Sequence, residues 1–276
     1  MNRPVSEEQG KAAEGENAGP PGKRRDVAVL FSTPQARDVA QALLEQSIRA
    51  HAVIIAPKDL ATDEWTKQAT RYCNGCTRWW LDEHTLDRHS IEILATTDEL
   101  CVIANEERPP SGFDLKLSEG AENLLWLALD LGVMARYFTV NRGELANPEI
   151  CLRKLGAPER VASRKAQRAS FTRQLAEIRL DTDFYSSGLW NERGQMLGYD
   201  LLDLPFPLVK RIAAWQRDFD ETVNPPDEVD EAWWQRHRQE KVEIAKELQT
   251  TLGPDTAVKI YGGEGWLTVN EIEREP

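Results

Sequence analysis

The chain is 276 residues long, with 41% hydrophobic and 29% charged side chains and a formal net charge of −12. That is apolar material for one large core or two ordinary ones, and no apolar run approaches the roughly 20 residues of a membrane-spanning helix. The acidity argues against a general nucleic-acid surface, which needs a local excess of Lys and Arg, so the partner expected is another protein, ahead of nucleic acid, with no membrane involved.

Met1 to Arg25 are polar and rich in Gly, Pro and Glu, a composition that reads as a disordered tail. They also lack the apolar core of a secretory signal, so a cytoplasmic location is expected, with the four cysteines reduced or ligating metal. Order begins at Val27-Ala28-Val29-Leu30-Phe31, a continuous apolar run suited to a buried parallel strand. Ser32-Thr33-Pro34 follows as a cap and helix start, the helix runs to about Arg49, and His51 to Pro57 reads as a second buried strand. This is a β-α-β unit, which implies a right-handed crossover and a parallel pair. Asp63-Glu64-Trp65 opens a short helix to near Tyr72, further strands are predicted at Ile91–Ala95 and Leu100–Ala104, and a largely buried helix is predicted from Glu119 to about Phe138. A short helix after Asn147-Pro148 holds Cys151 and Leu152. The whole of 26–152 therefore reads as an α/β domain, a small parallel sheet with helices.

Two places in this half invite chemistry. A strand-to-helix turn at the carboxyl edge of a parallel sheet is where ligands usually bind, which makes Ser32 and Thr33 candidate anion ligands, in a pocket completed near Lys58 or Asp98. The turn has no glycine, so neither the dinucleotide fingerprint nor the phosphate loop is present, and a plain N-cap also explains both hydroxyls. The second place is Cys73-Asn74-Gly75-Cys76 with His84 and His89, a C-x2-C-x7-H-x4-H array. Two thiolates and two imidazoles can complete a tetrahedral zinc site, although seven intervening residues are fewer than the twelve or so of a DNA-reading finger. The competing reading is a helix end with two half-buried thiols and two surface histidines. No other cofactor is expected. In fold type the β-α-β start resembles flavodoxin-like and Toll/interleukin-receptor-like domains.

Residues 153–180 read as a basic linker helix. Arg153, Lys154, Arg160, Arg164, Lys165, Arg168, Arg173 and Arg179 stand there against Glu159 and Glu177, with Phe171, Leu175 and Ile178 docking it. A nucleic-acid contact is the alternative, weakened by the lack of stacking aromatics other than Phe171. An α+β domain follows over 181–270, with 271–276 as a tail. Phe184 to Trp190 reads as an aromatic strand closed by a turn at Asn191–Gly194. Pro207 starts a helix whose face is Leu208, Ile212, Trp215 and Phe219. Asn224-Pro225-Pro226 stops it, a second helix spans about Val229 to Leu252 before Gly253-Pro254, and two strands, Ala257–Tyr261 and Gly265–Val269, form a hairpin. The acids Asp218, Asp220, Glu221, Asp227, Glu228, Asp230 and Glu231 read as solvated helix ends, and His237 as a histidine with nothing near it in sequence to orient it. No catalytic residue is assigned.

The segments Gly188-Leu189-Trp190 to Gly194, Leu204 to Leu208, Ile212 to Gln216, Phe219-Asp220, Ala245 to Leu248 and Leu252 to Asp255 resemble a group of small bacterial proteins with G-L-W-x-x-x-G, L-x-x-W-x-x-x-[FY]-D and A-x-x-L-x-x-x-L-G-P patterns, some of them associated with toxin and immunity gene neighbourhoods. The resemblance covers roughly the last third of the chain and rests on core and turn positions. It implies a protein-binding module, an immunity or regulatory partner of a toxin. The alternatives are an enzyme or nucleotide-binding protein using the carboxyl edge of the first sheet, and a zinc-containing nucleic-acid binder.

Overall fold

The structure, a computed structural model, describes residues 26–272 except 46–48, 58–59, 61, 63, 66, 68–70, 72, 81–84, 108–113, 117–118, 141–142, 145–151, 154–155, 224–228 and 264. The expected N-terminal and C-terminal tails lie outside them, apart from 271–272, as does most of the helix expected after Asp63. Eleven strands are described: β1 Val27–Phe31, β2 Arg49–Ala56, β3 Cys73–Trp80, β4 Glu99–Glu107, β5 Asp114–Lys116, β6 Met134–Thr139, β7 Gly143–Glu144, β8 Glu177–Leu180, β9 Leu189–Asn191, β10 Ala257–Tyr261 and β11 Trp266–Thr268. The helices are α1 Pro34–Glu45, α2 Thr85–Ala95, α3 Glu119–Asp130, α4 Ala157–Thr172, α5 Phe206–Thr222, α6 Glu231–Leu252 and the short α7 Val269–Ile272, with a 3-10 turn at Tyr199–Leu201. Among the described residues no helix is long and apolar enough to cross a membrane.

The fold is α/β. The first sheet runs β3-β2-β1-β4-β6 with every pair parallel, and β5 and β7 add antiparallel edges. Placing β1 between β2 and β4 is the 3-2-1-4 order of dinucleotide-binding folds, not the 2-1-3 order of flavodoxin-like ones, so the expected likeness in fold type stops at the β-α-β unit. The alternating strand residues serve two layers. Val27, Val29, Phe31, Ile54 and Ile103 pack with Ala36, Ala40 and Leu44 of α1, while Ala28, Leu30, Val53, Ile55 and Val102 pack with Leu94 of α2 and Leu124 and Leu125 of α3.

Two sequence expectations are corrected in this half. Ile91–Ala95 is the last turn and a half of α2, not a strand; Ile91, Ile93, Leu94 and Ala95 are buried, and a short apolar run fits either state by pattern. The helix expected to reach Phe138 ends at Asp130. Gly132, with φ +72, turns the chain, and Met134–Thr139 pairs with β4 as β6. Positive φ is open to glycine at no steric cost, and the apolar residues beyond it line a strand.

The second sheet runs β11-β10-β8-β9, with β8 and β10 parallel and both edges antiparallel. The expected linker helix ends at Thr172; Glu177–Leu180 is the strand β8, an interior member of this sheet. Ile178, Leu180, Leu189, Val258 and Ile260 face Leu208, Ile212, Ala245 and Leu248 of α5 and α6 in the same buried cluster as the α2–α3 side of the first sheet. The helix pair and the β10–β11 hairpin are where the sequence placed them. The face read for α5 is the buried one: Leu208 is 1%, Ile212 0%, Trp215 4% and Phe219 9% exposed.

The joint between the two sheets is polar at its centre. Asp200, in the 3-10 turn, accepts the main-chain N–H of Ile91 at 2.9 Å through Oδ1 and 3.1 Å through Oδ2, and that of Glu92 at 3.4 Å. Burial pushes its carboxyl up to about 7 in spite of those bonds. Around it, Arg217 on α5 binds Asp26 at 2.8 Å, and Lys210 reaches Asp98 at 3.4 Å. Replacing Asp200 by Ala removes the acceptor that these two amides share across the joint and is expected to cost about 1–3 kcal/mol in denaturant unfolding. Asp200→Asn, which keeps an acceptor oxygen, should recover most of that loss; equal losses in the two variants would show that the acceptor role is unimportant.

Candidate functional site

The described residues proposed from sequence lie at the end of β1, on β3 and on α2. Ser32 is exposed at the carboxyl end of β1, and Thr33 Oγ1 accepts the Ala36 N–H at 3.2 Å, an N-cap of α1. The strand order puts this turn at the switch point between β1 and β4. Asp98 does not join it: its N–H donates to the Asp26 carbonyl at 2.9 Å at the amino end of β4, on the opposite edge of the sheet, and Lys58 lies outside the described residues. Cys73 and Cys76 fall on β3, in register with Arg49 and Ala52, so Cys-x2-Cys is extended strand instead of a knuckle. His84 lies outside the described residues. His89 on α2 sits with Nδ1 at 2.9 Å from Glu92. Among the described residues no group of three His, Cys, Asp or Glu is placed to hold a metal ion.

What the fold does assemble is an aromatic ridge at one end of the second sheet. The segment read as an aromatic strand is strand only from Leu189; Phe184 and Tyr185 form a turn and project outward at 44% and 88% exposure. Tyr185 takes a positive φ of 59°, rare for a residue with a side chain. It is held there because its N–H donates to Asp220 at 3.1 Å, while Gln216 Nε2 donates to Asp220 at 3.1 Å and to the Asp183 carbonyl at 2.8 Å. Gly188 closes the turn at φ +75, where a Cβ would stand 3.1 Å from the Trp215 ring. Asp220 is thus no solvated helix-end acid, contrary to the sequence reading; Asp230 is one, exposed at the start of α6, where it accepts the Trp233 N–H at 2.6 Å as the N-cap.

From this turn the rings run inward: Phe184 to Phe219 at 5.1 Å, Phe219 to Trp234 at 6.4 Å, and Trp234 to Trp233 at 4.9 Å. At the inner end lies His237, read from sequence as a residue without a partner. It is 6% exposed and lies between Trp233 at 4.5 Å and Trp215 at 4.9 Å, nearly parallel to both. Neither ring nitrogen makes a hydrogen bond among the described residues, and Nδ1 is 3.8 Å from Asp218. Burial holds its pKa below the usual value, only partly offset by Asp218. Asp183, Asp218 and Glu221 are exposed beside these rings, with Arg236 exposed next to Trp233 and His237, giving an apolar surface with a rim in which acids outnumber bases.

The other uncovered part of this module, the sheet face opposite α5 and α6, spends its charges internally. Glu177 is shared by Lys259 and by Arg179 at 2.7 Å, and Arg179 lies 4.9 Å over the Trp266 ring.

A protein-family model described as Serratia CdiI immunity protein-like matches residues 176–262. The match begins at β8 and ends just past β10, and so takes in the ridge, the helix pair and three of the four strands. Searches among curated proteins and among solved structures find no match.

The neutral His237 has a pH signature. A folded-state pKa below the unfolded value of about 6.5 contributes stability that is complete above that value and is lost as pH falls through the lowered one. Thermal unfolding followed from pH 7.5 to 5 should show that loss, and His237→Phe, which keeps an aromatic ring between the two tryptophans, should remove it. Identical pH profiles for the two proteins would overturn the assignment.

Proposed function

We propose that the C-terminal part of this protein is an immunity module that binds a protein toxin and blocks it, and that the aromatic ridge is the contact surface. The observation that carries this reading is the family match over 176–262 coinciding with the surface that combines exposed rings, a rigidly held turn and an acidic rim. Interface hot spots favour Trp, Tyr and Arg in positions pre-organised by the fold. Tyr185 meets that description, since the Asp220 bond fixes a backbone conformation that would otherwise cost on the order of 1–3 kcal/mol. An acidic rim selects a basic partner surface and accelerates encounter, an effect that fades with salt.

The zinc and carboxyl-edge readings have less behind them. Cys73 and Cys76 are on a strand, and Asp98 is on the wrong edge for a pocket at Ser32.

The test is protection. A toxin-like reading frame adjacent to the gene is expressed alone and together with this protein, and growth is followed. Co-expression should restore growth, and Tyr185→Ala should weaken the purified complex about 30-fold, the equivalent of a 2 kcal/mol hot spot. Arg193→Ala, at an exposed turn on the far side of β9, should leave it unchanged. Full binding by Tyr185→Ala would move the interface elsewhere, and a lack of protection would remove the immunity reading for that pair.

A further inference from the structure

We propose that the groove between the last turn of α2, the turn at 183–188 and α5 receives a lysine or arginine side chain of the partner protein, with its charged end at Asp220 and Glu221. The inference rests on the immunity reading and deepens it, because Tyr185 belongs to the ridge and also lines this groove. The groove has a volume of about 490 Å³, within the range of sites that take a small molecule, and so has room for one long side chain.

Two acids of its wall have no cation of their own. Asp220 Oδ1 accepts the Tyr185 N–H and a Gln216 Nε2–H, each at 3.1 Å. Its Oδ2 makes no hydrogen bond or ion pair among the described residues and is open to solvent. Burial, with a smaller contribution from Asp183, pushes this carboxyl up from its ordinary value, so a cation brought to it offsets the cost of its charge. Glu221, the next residue, is exposed and likewise has no hydrogen bond or ion pair among the described residues.

The cation in the lining does not answer them. Arg217 donates through Nη1 to Asp26 at 2.8 Å and through Nη2 to the Thr96 carbonyl at 3.4 Å, and the remaining acid of the lining, Glu92, lies 2.9 Å from His89 Nδ1. Val53, Ala213, Tyr185 and Tyr199 complete the walls. That is apolar surface along which a methylene stem can lie while its charged head stays at the carboxylates, and the exposed Tyr185 ring offers a face to a cation. Charge complementarity and continuity with the ridge thus name a basic side chain as the occupant.

Butylguanidinium is the probe, with butylurea as its uncharged counterpart of the same shape and guanidinium as the bare cation. Two-dimensional amide NMR of the full chain should show saturable shifts at Tyr185 and Ser186 with a dissociation constant of about 10 mM or tighter for butylguanidinium, and binding about tenfold weaker for the other two. Asp220→Asn keeps an oxygen for the Tyr185 amide while removing the charge, and Glu221→Gln removes the second charge. The double variant, shown to be folded by its melting temperature, should lose the preference for butylguanidinium over butylurea. It should also weaken the complex with the toxin about tenfold and make its affinity less dependent on salt. Equal binding of butylurea, shifts confined to other amides, or toxin binding by the folded double variant as tight as that of the unaltered protein would each overturn the groove. Lack of protection by an unaltered protein that still binds the probe would instead strike the immunity reading, and with it the toxin as source of the side chain, so the two failures are told apart.

Discussion

The layer formed by α2 and α3 covers the first sheet on one side and meets the helices and the 3-10 turn of the C-terminal part on the other, and the contact that fixes this joint is the Asp200 carboxyl bound by the amides of Ile91 and Glu92. One side of α2 and α3 covers Leu30, Ile55 and Val102 of the first sheet. The other meets α5 and the 3-10 turn, so helix surface that would face solvent in an isolated α/β domain is buried between modules. Apolar contact supplies the bulk of such an interface, but it is non-directional. A carboxyl received by main-chain donors fixes position, because a small slide would leave a buried polar group without its bonds. The flanking pairs Arg217–Asp26 and Lys210–Asp98 are partly exposed and add orientation more than stability.

The same logic of holding against cost recurs at the ridge. A tyrosine with positive φ, a glycine against a tryptophan ring and a histidine stacked between two indoles without a hydrogen bond are each unfavourable alone. They persist because Gln216 and Asp220 on α5 tie the turn at 183–188 to the helix and because α5 and α6 enclose the imidazole. Projecting rings that are held rigidly lose little side-chain freedom when a partner covers them, which is what separates a ready binding surface from a merely apolar one.

Sign of charge also separates the ridge from α4. In a chain of net charge −12 the exposed acids Asp183, Asp218 and Glu221 stand beside the ridge, whereas Arg160 of α4 is turned toward α3. Arg160 is paired with Glu122 at 2.7 Å, and Arg168 is left with its Nε unpaired. A basic stretch in the sequence is thus in part a structural clamp, a role that the row of charges does not reveal.

Much of the architecture was legible in the residues. Val27–Phe31 with its capped helix and second apolar run specified a parallel β-α-β unit, and the four-three-four spacing of Leu208, Ile212, Trp215 and Phe219 specified a helix and its buried face, because periodicity reports local burial. The pattern misled where local preference is ambiguous: Ile91–Ala95 suits strand or helix, the apolar residues past Gly132 continue a helical rhythm across a turn, and Glu177–Leu180 follows a basic helix that masks a strand. The sites were decided by tertiary structure alone. Asp200 meets Ile91 across 109 positions, Asn123 meets Arg160 across 37, and the Trp215 indole reaches the His237 carbonyl across 22. Each of these groups is ordinary among its neighbours in the chain. Burial, orphaned donors and a neutral imidazole arise only when distant segments close around a side chain and remove its water, and no local pattern of residues encodes that event.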